Sequence, residues 1–382
     1  MLKLSRREVL KVTGIAATGA CLPSLIPAST KPPVAPVALG RCRTYGKEVG
    51  AALDDLFNKL GGPKSMVSGK TVAVKVNLTG GLRPIPGGRS AGQTYHVHPS
   101  IVLACCQALG NAGARRLRLI EGWDPALPAE KFLGHCGWNL RAMRAAANVE
   151  FENTNNRGAA KNYVHVKVRH GGFVSPSFEL NHSYVDADFF VSLAKMKNHY
   201  TAGVTLALKN YFGIAPTSFY GDDAGNEAAK IPRMNIFHRG SQQPPALAAP
   251  EINRKSSRDD GYRVPRITID LVNAVAPINL SIIDGVQTVQ GGEGPWIKPL
   301  RLADPGLLVV GLNPVCTDAV CTAVMGYDRA GGWTSPPFYH GDNHIKLAES
   351  AGLGSADLKQ IEVRGLSIDK ALFRFEPGGK NG

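Results

Sequence analysis

The feature that most constrains the fold is a strand, a helix and a second strand that follow one another between residues 71 and 121. Residues 71–78 (TVAVKVNL) alternate like a strand, and residues 99–112 (PSIVLACCQALGNA) carry apolar side chains at helical spacing, with Pro99 near the first turn. Residues 116–121 (RLRLIE) predict the next strand. Two strands joined by a helical crossover pair in parallel, so the pattern predicts a mostly parallel sheet.

Further elements extend this sheet. Short apolar runs at residues 189–193, 280–285 and 307–311 end in turn residues or in a lysine, which is typical of strands covered on both faces. Helices are predicted over residues 49–60 and 201–213. The predicted fold class is therefore α/β, a mostly parallel sheet with helices on both faces and a ligand crevice at the C-terminal ends of the strands.

The chain divides into three parts. Residues 1–28 are predicted to be a signal peptide, residues 29–69 a leader with the first helix, and residues 70–382 one α/β domain with a loop-rich insertion at about 217–263. The sequence is 43% hydrophobic and 19% charged, which excludes a disordered chain, a fibre and a coiled coil. No apolar run reaches the ~18 residues that a membrane crossing needs, so we expect no stable membrane span.

The N-terminus has the pattern of an export signal. Arg6 and Arg7 precede Leu10 and a modestly apolar stretch over residues 12–25, and a small-residue exit follows at Ala28. The paired arginines are similar to a twin-arginine (Tat) signal, and the alternatives are a Sec signal or a basic N-terminal helix. The expected partner is the Tat export machinery, and the expected location is periplasmic or extracellular.

The composition favours an anionic partner. Forty-four Lys and Arg residues oppose 30 Asp and Glu, for a formal net charge of +14. The densest basic cluster, at residues 115–118, lacks the interleaved aromatic residues of a single-strand binder, so we predict no nucleic-acid partner and a solvated basic surface. The cysteines beyond the signal have no C-x-x-C spacing, and small buried apolar residues are a better interpretation of most of them than disulfides.

Polar side chains stand where the predicted strands end. In chain order they are Lys75, Asn77, Glu121, Lys195, Lys197, His199 and Asp284. Because the ends of parallel strands meet at one edge of a sheet, these residues predict a shared crevice. Thr201, Thr205 and Lys209 follow at spacings of four, which places them on one face of the predicted helix. Lysines near a helix start suit a carboxylate or a phosphate, and the alternative is a surface helix with solvated lysines.

A metal site is a second hypothesis for the same crevice. His96 and His98 form an H-x-H pair that is able to place two imidazoles on one metal, with His199 and the Glu121 carboxylate as further ligands. The ligand set that we predict is His98, His199 and Glu121, for a divalent metal. The alternative is that the pair forms ordinary loop hydrogen bonds. His340 and His344 form a second, weaker candidate.

Two further segments are noted. The glycine-rich loop at residues 290–295 (QGGEGP) exposes backbone N–H groups that are able to hold an anion, Gly294 among them, but it lacks the spacing of a Walker or dinucleotide loop. Asp318 is expected in the first turn of a helix that starts near Asn313, where the helix dipole favours a carboxylate.

Read in order, these segments resemble the family called domain of unknown function 362. The resemblance lies in residues 74–78 (VKVNL), His98-Pro99, 195–199 (KMKNH), 204–213 (VTLALKNYFG), 283–285 (IDG), Gly294-Pro295 and Asp318 before Met325-Gly326. It covers about residues 70–330.

The resemblance implies an unsettled activity. Many members carry cysteine-rich ferredoxin-like segments that this chain lacks, so an iron–sulfur cluster is disfavoured. Gln290 and Asn313 stand where relatives often carry an acid. The order of strands and loops is also similar to the nickel-dependent lactate racemase group, at the level of fold.

The leading hypothesis is an exported enzyme that acts on an anionic small molecule. Lys195, His199 and Asp284 are the predicted catalytic residues, and the predicted substrate-binding residues are Lys75, Asn77, Lys197, Thr205, Lys209, Asn210 and Gly294. In this scheme the lysines bind the anion, and His98 and His199 hold a metal or move a proton. The alternatives are a non-catalytic metal- or anion-binding protein and a scaffold with a relic site.

Overall fold

The computed structural model describes residues 31–83, 85–158, 162–275, 277–376 and 378. The predicted signal peptide at residues 1–28 lies outside these residues. In chain order the strands are β1 Val37–Arg41, β2 Thr71–Lys75, β3 Arg116–Glu121, β4 Val149–Asn153, β5 Tyr163–Lys167, β6 Ser177–Asn181, β7 Phe189–Lys195, β8 Asn198–His199, β9 Gly203–Val204, β10 Leu280–Gly285, β11 Thr288–Gln290, β12 Arg301–Ala303, β13 Leu307–Gly311 and β14 Val363–Gly365.

The helices connect these strands and cover them. The α-helices are α1 Glu48–Lys59, α2 Lys64–Val67, α3 Pro99–Asn111, α4 Ala129–His135, α5 Leu140–Ala146, α6 Leu206–Asn210, α7 Thr217–Tyr220, α8 Asp260–Val275, α9 Pro314–Val324, α10 His344–Ser350 and α11 Ile368–Ala371. Short 3₁₀ turns occupy Pro86–Gly88, His182–Tyr184 and Tyr211–Ile214, and one π-helical turn occupies Met234–His238.

Eight strands form one sheet in the order β14-β1-β13-β10-β7-β2-β3-β4. The neighbours from β10 to β4 all pair in parallel. Within this sheet β13 is the one strand that runs against the others, since it is antiparallel to both β1 and β10. The predicted α/β class with a mostly parallel sheet is confirmed.

The chain reverses its direction of travel across the sheet between β2 and β7. From β2 it proceeds outward through β3 to β4, and it then returns to place β7 and β10 on the opposite side of β2. In parallel sheets such a switch point opens a crevice at the C-terminal ends of the two strands, because the following loops diverge there. The residues that end β2 and β7 therefore face one another across the natural ligand position.

Helices cover both faces of the sheet because the buried strands alternate apolar side chains between the two faces. Val72 and Val74 of β2 pack into one apolar cluster with Leu53 of α1 and Ile101 of α3. Ala73, between them in sequence, packs into the other cluster with side chains from α6, α8 and α9. The strands are thus enclosed on both sides, as their continuous apolar runs predict.

The prediction of one helix over residues 201–213 is wrong at its start. Asn198–His199 and Gly203–Val204 pair as short antiparallel strands, so Thr201 lies in the turn between them. Gly203 has a φ of 74°, a backbone conformation that ends helical continuity there and that glycine tolerates best. The α-helix covers only Leu206–Asn210, with Thr205 as its N-cap residue. Thr201, Thr205 and Lys209 therefore do not share a helical face.

The predicted loop-rich insertion at about 217–263 contains a short helix and the π-helical turn. Its last residues, from Asp260, already belong to the long helix α8. Across the described ranges, no helix is both long and apolar enough to cross a membrane. The six cysteines of the same ranges are free thiols, and five of them are buried, which agrees with their interpretation as small core residues.

Candidate functional site

The C-terminal edge of the sheet brings the predicted strand-end residues together. Lys75 ends β2, Glu121 ends β3, Lys195 ends β7, and Asp284 lies opposite Lys195 in the register of β10 with β7. All four side chains are almost completely buried. Buried charges need partners, so the contacts of each one decide its role.

Lys195 and Asp284 form a closed ion pair. The Lys195 ammonium donates to Asp284 Oδ2 at 2.9 Å, to the Gly92 carbonyl at 2.7 Å and to the Tyr45 hydroxyl at 2.8 Å. Tyr45 Oη lies 2.9 Å from the second carboxylate oxygen of Asp284, and the backbone N–H of His98 donates to Oδ2 at 2.9 Å. Because all three ammonium protons are used, Lys195 has none left for a ligand.

A second buried ion pair forms between Lys75 at the end of β2 and Glu121 at the end of β3. The Lys75 ammonium lies 2.7 Å from Glu121 Oε1 and donates to the Val76 carbonyl at 2.7 Å. Its third contact is Asn210 Oδ1 at 3.3 Å, an oxygen that also accepts from Asn77 Nδ2 at 3.2 Å. The predicted substrate-binding residues Lys75, Asn77 and Asn210 thus form one internal network, in which only Asn77 Oδ1 makes no hydrogen bond.

Lys197 is partly engaged. Its ammonium donates to the Tyr95 carbonyl at 2.6 Å and to the Glu293 carbonyl at 3.0 Å, which leaves one N–H. Burial, together with the nearby charge of Lys195, lowers the pKa of Lys197 to about 7, although Glu293 opposes the shift. A buried ammonium with one free proton and a pKa near neutrality is able to accept an anion or exchange a proton.

Lys209 differs from the other three lysines. Among the described residues its ammonium makes no hydrogen bond and no ion pair, and it lies 4.0 Å from the centroid of the Phe212 ring. The residue is 8% exposed. Burial and the charges of Arg233 and Lys75 lower the pKa of Lys209 to about 7. It is therefore a buried amine with all its N–H groups available.

The carboxylate of Glu293, which acts on the charges of Lys197 and Lys209, already has hydrogen-bond partners. Glu293 Oε2 accepts from the Tyr200 backbone N–H at 2.8 Å, and Oε1 accepts from the Trp296 indole N–H at 2.8 Å. These bonds fix the carboxylate away from contact with Lys197 and Lys209. Glu293 thus moderates their positive charge at a distance without closing an ion pair.

Helix α6, which carries Lys209, is fixed from two sides. Asp318 accepts from the backbone N–H groups of Ala207 and Leu208, both at 2.9 Å. On the far side of Lys209, the Asn210 amide donates to the Lys75 carbonyl at 3.1 Å. Asp318 lies beyond the first turn of α9, so the expectation that it stabilises the start of its own helix is wrong, and it caps α6 instead. Asn313 is the cap of α9.

The predicted metal ligands are engaged elsewhere. His98 is the N-cap of α3, where Nδ1 accepts from the Ser100 N–H at 3.1 Å, and its ring stacks on Tyr45 at 3.6 Å. Glu121 is paired with Lys75, and His199 Nδ1 accepts from the Ala202 N–H at 3.3 Å. In the part of the chain that the structure describes, no three His, Cys, Asp or Glu side chains are placed to hold a metal ion. His98, His199 and Glu121 are not assembled as a ligand set.

The other histidines that the sequence analysis names lie in different surroundings, and both ring nitrogens of His344 are without a hydrogen bond among the described residues. His96 Nε2 lies 2.9 Å from the Thr79 carbonyl, and burial lowers the pKa of His96 to about 3. His340 stacks on Tyr200 at 4.0 Å. His344 is fully buried near Lys209, and burial lowers the pKa of His344 to about 3. The pKa of His199 is likewise lowered well below its usual value by burial and by the charges of Lys209 and Lys197, so the ring is neutral at pH 7.

No local sequence pattern predicts that Tyr45 and Arg233 belong to the site. Tyr45 comes from the leader before α1, and Arg233 comes from the insertion, immediately before the π-helical turn. Arg233 Nε donates to the Ala215 carbonyl at 2.7 Å. Burial lowers the pKa of Arg233 to about 10, and its charge acts on both Lys75 and Lys209. π-Helical turns occur frequently at functional sites, which is the one local feature that marks this segment.

The glycine-rich loop has a steric explanation. A Cβ added to Gly294 would lie 2.3 Å from the Trp296 ring, and one added to Gly80 would lie 2.2 Å from the same ring. These glycines therefore allow Trp296 to pack closely, and Trp296 in turn fixes Glu293. The loop shapes the wall of the crevice through this packing.

The open space near these residues is small. A cleft with a free volume of about 10 Å³ lies beside His199 and is bordered by Tyr200, Gly291 and His340. A much larger depression of about 510 Å³ lies between α1, α3 and α5 and is lined mainly by alanines and amides. The larger depression lacks buried charges. Lys197 and Lys209 line neither space, so we define the candidate site by these two lysines and by His199, which borders the narrow cleft.

Comparison with known proteins identifies the family of this chain and a distant relative. The model of the family described as domain of unknown function (DUF362) matches residues 72–323. A protein of Synechocystis sp. named as thylakoid-associated is 25% identical over 306 residues, which is 77% of this chain and 75% of that protein.

Two solved structures have a distant likeness. A protein of Thermotoga maritima has a TM-score of 0.36 and 16% identity over 69% of this chain and 55% of its own. The lactate racemase apoprotein of Thermoanaerobacterium thermosaccharolyticum has a TM-score of 0.36 and 12% identity over 76% of this chain and 57% of its own. The chain thus spans little more than half the length of either structure.

Proposed function

The chain belongs to the DUF362 family, and we propose that its crevice binds a small anionic molecule between Lys197 and Lys209. The observation that carries the proposal is Lys209, a residue only 8% exposed whose ammonium has no hydrogen bond and no ion pair among the described residues. An uncompensated buried cation is costly, and an anionic ligand would remove that cost.

The balance of buried charge supports an anion. Lys75 cancels Glu121 and Lys195 cancels Asp284, because each pair is in direct contact. What remains is Lys197 and Lys209, together with the half-buried Arg233, against the carboxylate of Glu293. The excess is positive, and the low dielectric of the site strengthens its attraction for a carboxylate or a phosphate.

The lowered pKa values of the site lysines support an enzyme. Lys209 and Lys197 have pKa values lowered to about 7, chiefly by burial, which suits proton exchange at neutral pH. His199 is a neutral imidazole beside them. We therefore assign proton transfer to Lys209 and His199. Lys195 and Asp284, which we expected to be catalytic, instead position β7 and β10, because their hydrogen-bonding capacity is used up.

A non-catalytic anion-binding protein is the second candidate. It is favoured by the direct contact between Lys195 and Asp284, two residues that we expected to be catalytic, because each uses the other as its partner. Binding without turnover does not need these groups to be free. Turnover of any anion that binds would decide between the two candidates.

A panel of small anions tests the proposal. Lactate, pyruvate, oxalate, phosphate and sulfate are added singly, at equal ionic strength, and the thermal unfolding midpoint is measured. A ligand at 100 times its Kd stabilises by about 2.7 kcal/mol, so a specific anion raises the midpoint of the natural protein. Lys209→Met removes that rise, and Lys64→Met, at an exposed lysine of α2, retains it. Equal shifts in all three proteins would contradict the proposal.

We also propose that residues 1–28 direct export through the twin-arginine route. The support is the Arg6-Arg7 pair ahead of a modestly apolar stretch. Residues 1–35 fused to a folded fluorescent reporter are expected to deliver it to the periplasm. Replacing both arginines by lysine keeps the charge, and should retain the reporter in the cytoplasm. Export that is unaffected by this change would favour the Sec route.

A further inference from the structure

The structure contains four buried lysines at one edge of a sheet, and three of them are held by oxygen atoms. Lys75 and Lys195 each contact a carboxylate, and Lys197 donates to two backbone carbonyls. The Lys209 ammonium has no hydrogen bond and no ion pair among the described residues, and it lies over the face of Phe212. A lysine whose ammonium is fixed by acceptors serves structure or charge, whereas an amine without acceptors keeps its lone pair accessible when it is neutral.

The environment of Lys209 favours the neutral amine. Cationic groups act on it from two elements, Arg233 from the insertion and Lys75 from β2, and Glu293 is the opposing charge. His199 and His344, whose rings are neutral, are close enough to sense its charge. Neighbouring cations and an apolar surface are the two devices that activate a lysine as a nucleophile.

The backbone around Lys209 is also fixed by hydrogen bonds. The residues on either side of it in α6 are fixed, Leu208 through its N–H bond to Asp318 and Asn210 through its side-chain bonds to β2 and β7. Leu206, at the start of the helix, has a φ of 46°, an uncommon conformation for a residue with a side chain. Such backbone strain persists where the surroundings enforce it, and it is frequent at active sites. The backbone that carries the amine is thus held in place before any ligand arrives.

We propose that Lys209 forms an imine with a small oxo acid. The proposal rests on the proposed anion site, since the carboxylate of the oxo acid would be held by Lys197 while its carbonyl carbon faces Lys209. The neutral Nζ attacks the carbonyl carbon, so that an N–C bond forms and the oxygen takes up a proton while the nitrogen releases one. This carbinolamine takes up one proton from solvent on its hydroxyl and loses water, which gives a protonated imine. No oxidant or reductant is consumed.

The protons of these steps have a carrier. His199 Nδ1 accepts from the Ala202 N–H, so the neutral ring carries its own proton on Nε2. A neutral imidazole is suited to take the proton that the nitrogen releases when the carbinolamine forms and, once protonated, to pass it to the oxygen, while the proton that the imine keeps comes from solvent. The positive charge of the imine remains at the position of the Lys209 ammonium, and the carboxylate of the oxo acid neutralises it.

Reductive trapping tests this inference. The full chain is incubated with glyoxylate or pyruvate and cyanoborohydride, and the modified lysine is identified by peptide mass spectrometry. We expect one major adduct, on Lys209, with the exposed Lys64 and Lys346 as internal references for non-specific modification. Lactate, which has a hydroxyl group in place of the keto group, should compete with the reaction without forming an adduct.

Two variants separate the inference from the proposed function. Lys209→Arg keeps the charge, so it should retain stabilisation by anions and lose the adduct. Lys209→Met should lose both, and its thermal unfolding without ligand shows whether it is folded. If pyruvate stabilises the natural protein but no adduct forms on Lys209, or if adducts are spread over the exposed lysines, the imine is excluded and the anion site stands. If no anion stabilises the protein, both proposals fail.

The rate of trapping at different pH values gives a further readout. An imine needs the neutral amine, so trapping at Lys209 should rise through pH 7. Exposed lysines should react appreciably only as the pH approaches about 10. The same pH dependence for Lys209 and Lys64 would overturn the inference.

Discussion

The ammonium of Lys209 lies 4.0 Å from the centroid of the Phe212 ring, and this contact replaces the ion pair that a buried lysine usually has. A cation over an aromatic face gains about 0.5–2 kcal/mol, which is less than the desolvation of an ammonium costs. The site therefore holds an unfavourable charge in the absence of a ligand. The predictions that follow depend on that imbalance.

The stability of the protein should rise between pH 7 and pH 10. Burial lowers the pKa of Lys197 and of Lys209 to about 7, below the usual value of 10.5 that applies to the unfolded chain. In this window the unfolded chain binds more protons than the folded one, so raising the pH favours the folded state. Chemical unfolding at several pH values measures the slope, and Lys209→Met should reduce it. A slope that Lys209→Met leaves unchanged would contradict the assignment.

Anion affinity should show the opposite trend. An anion binds the charged form of Lys209, so its affinity is highest below pH 7 and falls at higher pH by up to about tenfold per pH unit for each proton taken up on binding. Calorimetric titration at pH 6, 7 and 8 measures this change. Buffers of different ionisation enthalpy report the proton uptake. Affinity that does not depend on pH would mean that another group binds the anion.

Lys195 should act on stability and not on chemistry. Lys195→Met leaves the Asp284 carboxylate buried without its cation, so we expect the free energy of unfolding to fall by about 3–5 kcal/mol. The double variant Lys195→Met/Asp284→Leu should recover much of that loss. The matched control is Lys59→Met, which breaks the exposed pair with Asp55 and should cost at most about 1 kcal/mol. A full loss of stability in the double variant would contradict this account.

Asp318 should position Lys209 from a distance. Asp318→Ala leaves the N–H groups of Ala207 and Leu208 without acceptors, so the free energy of unfolding should fall by about 1–3 kcal/mol. The affinity for the anion should fall as well, because α6 loses its fixed start. Asp369→Ala, at the exposed first turn of α11, is the control and should change neither quantity appreciably. Unchanged anion affinity in Asp318→Ala would show that the cap does not position Lys209.

The metal content should not depend on the histidines. His98 is occupied as a helix cap and Glu121 is paired with Lys75, so His98→Ala/His199→Ala should leave the amount of bound divalent metal unchanged. Elemental mass spectrometry of the natural protein and the double variant measures it. A stoichiometric metal that the variant loses would restore the ligand set that the sequence suggests.

The sheet was predictable because each of its buried strands is a local pattern. Residues 71–75 and 116–121 have strand-like patterns, residues 189–195 and 280–285 contain short apolar runs, and their shared C-terminal edge follows from the parallel pairing alone. That edge brings Lys75, Glu121, Lys195 and Asp284 together as predicted. The local pattern does not show which residue pairs with each charged side chain.

The roles within the site depend on tertiary contacts that no local spacing encodes. The ammonium of Lys195 donates to the hydroxyl of Tyr45 in the leader. Lys209 lies on a helix that is capped by Asp318 of α9, 109 residues later in the sequence. The helix over residues 201–213 was overestimated because its apolar spacing continues through Gly203, where the backbone turns into a short pair of strands. Arg233 lies in a segment without periodicity and was not predictable at all.

A crystal structure with the anion that stabilises the protein most tests the central claim directly. We predict density for the anion within hydrogen-bonding distance of both Lys209 Nζ and Lys197 Nζ, beside His199. Density at the depression between α1, α3 and α5, or on the exposed arginines at residues 115–116, with the Lys209 ammonium still facing only Phe212, would contradict the account.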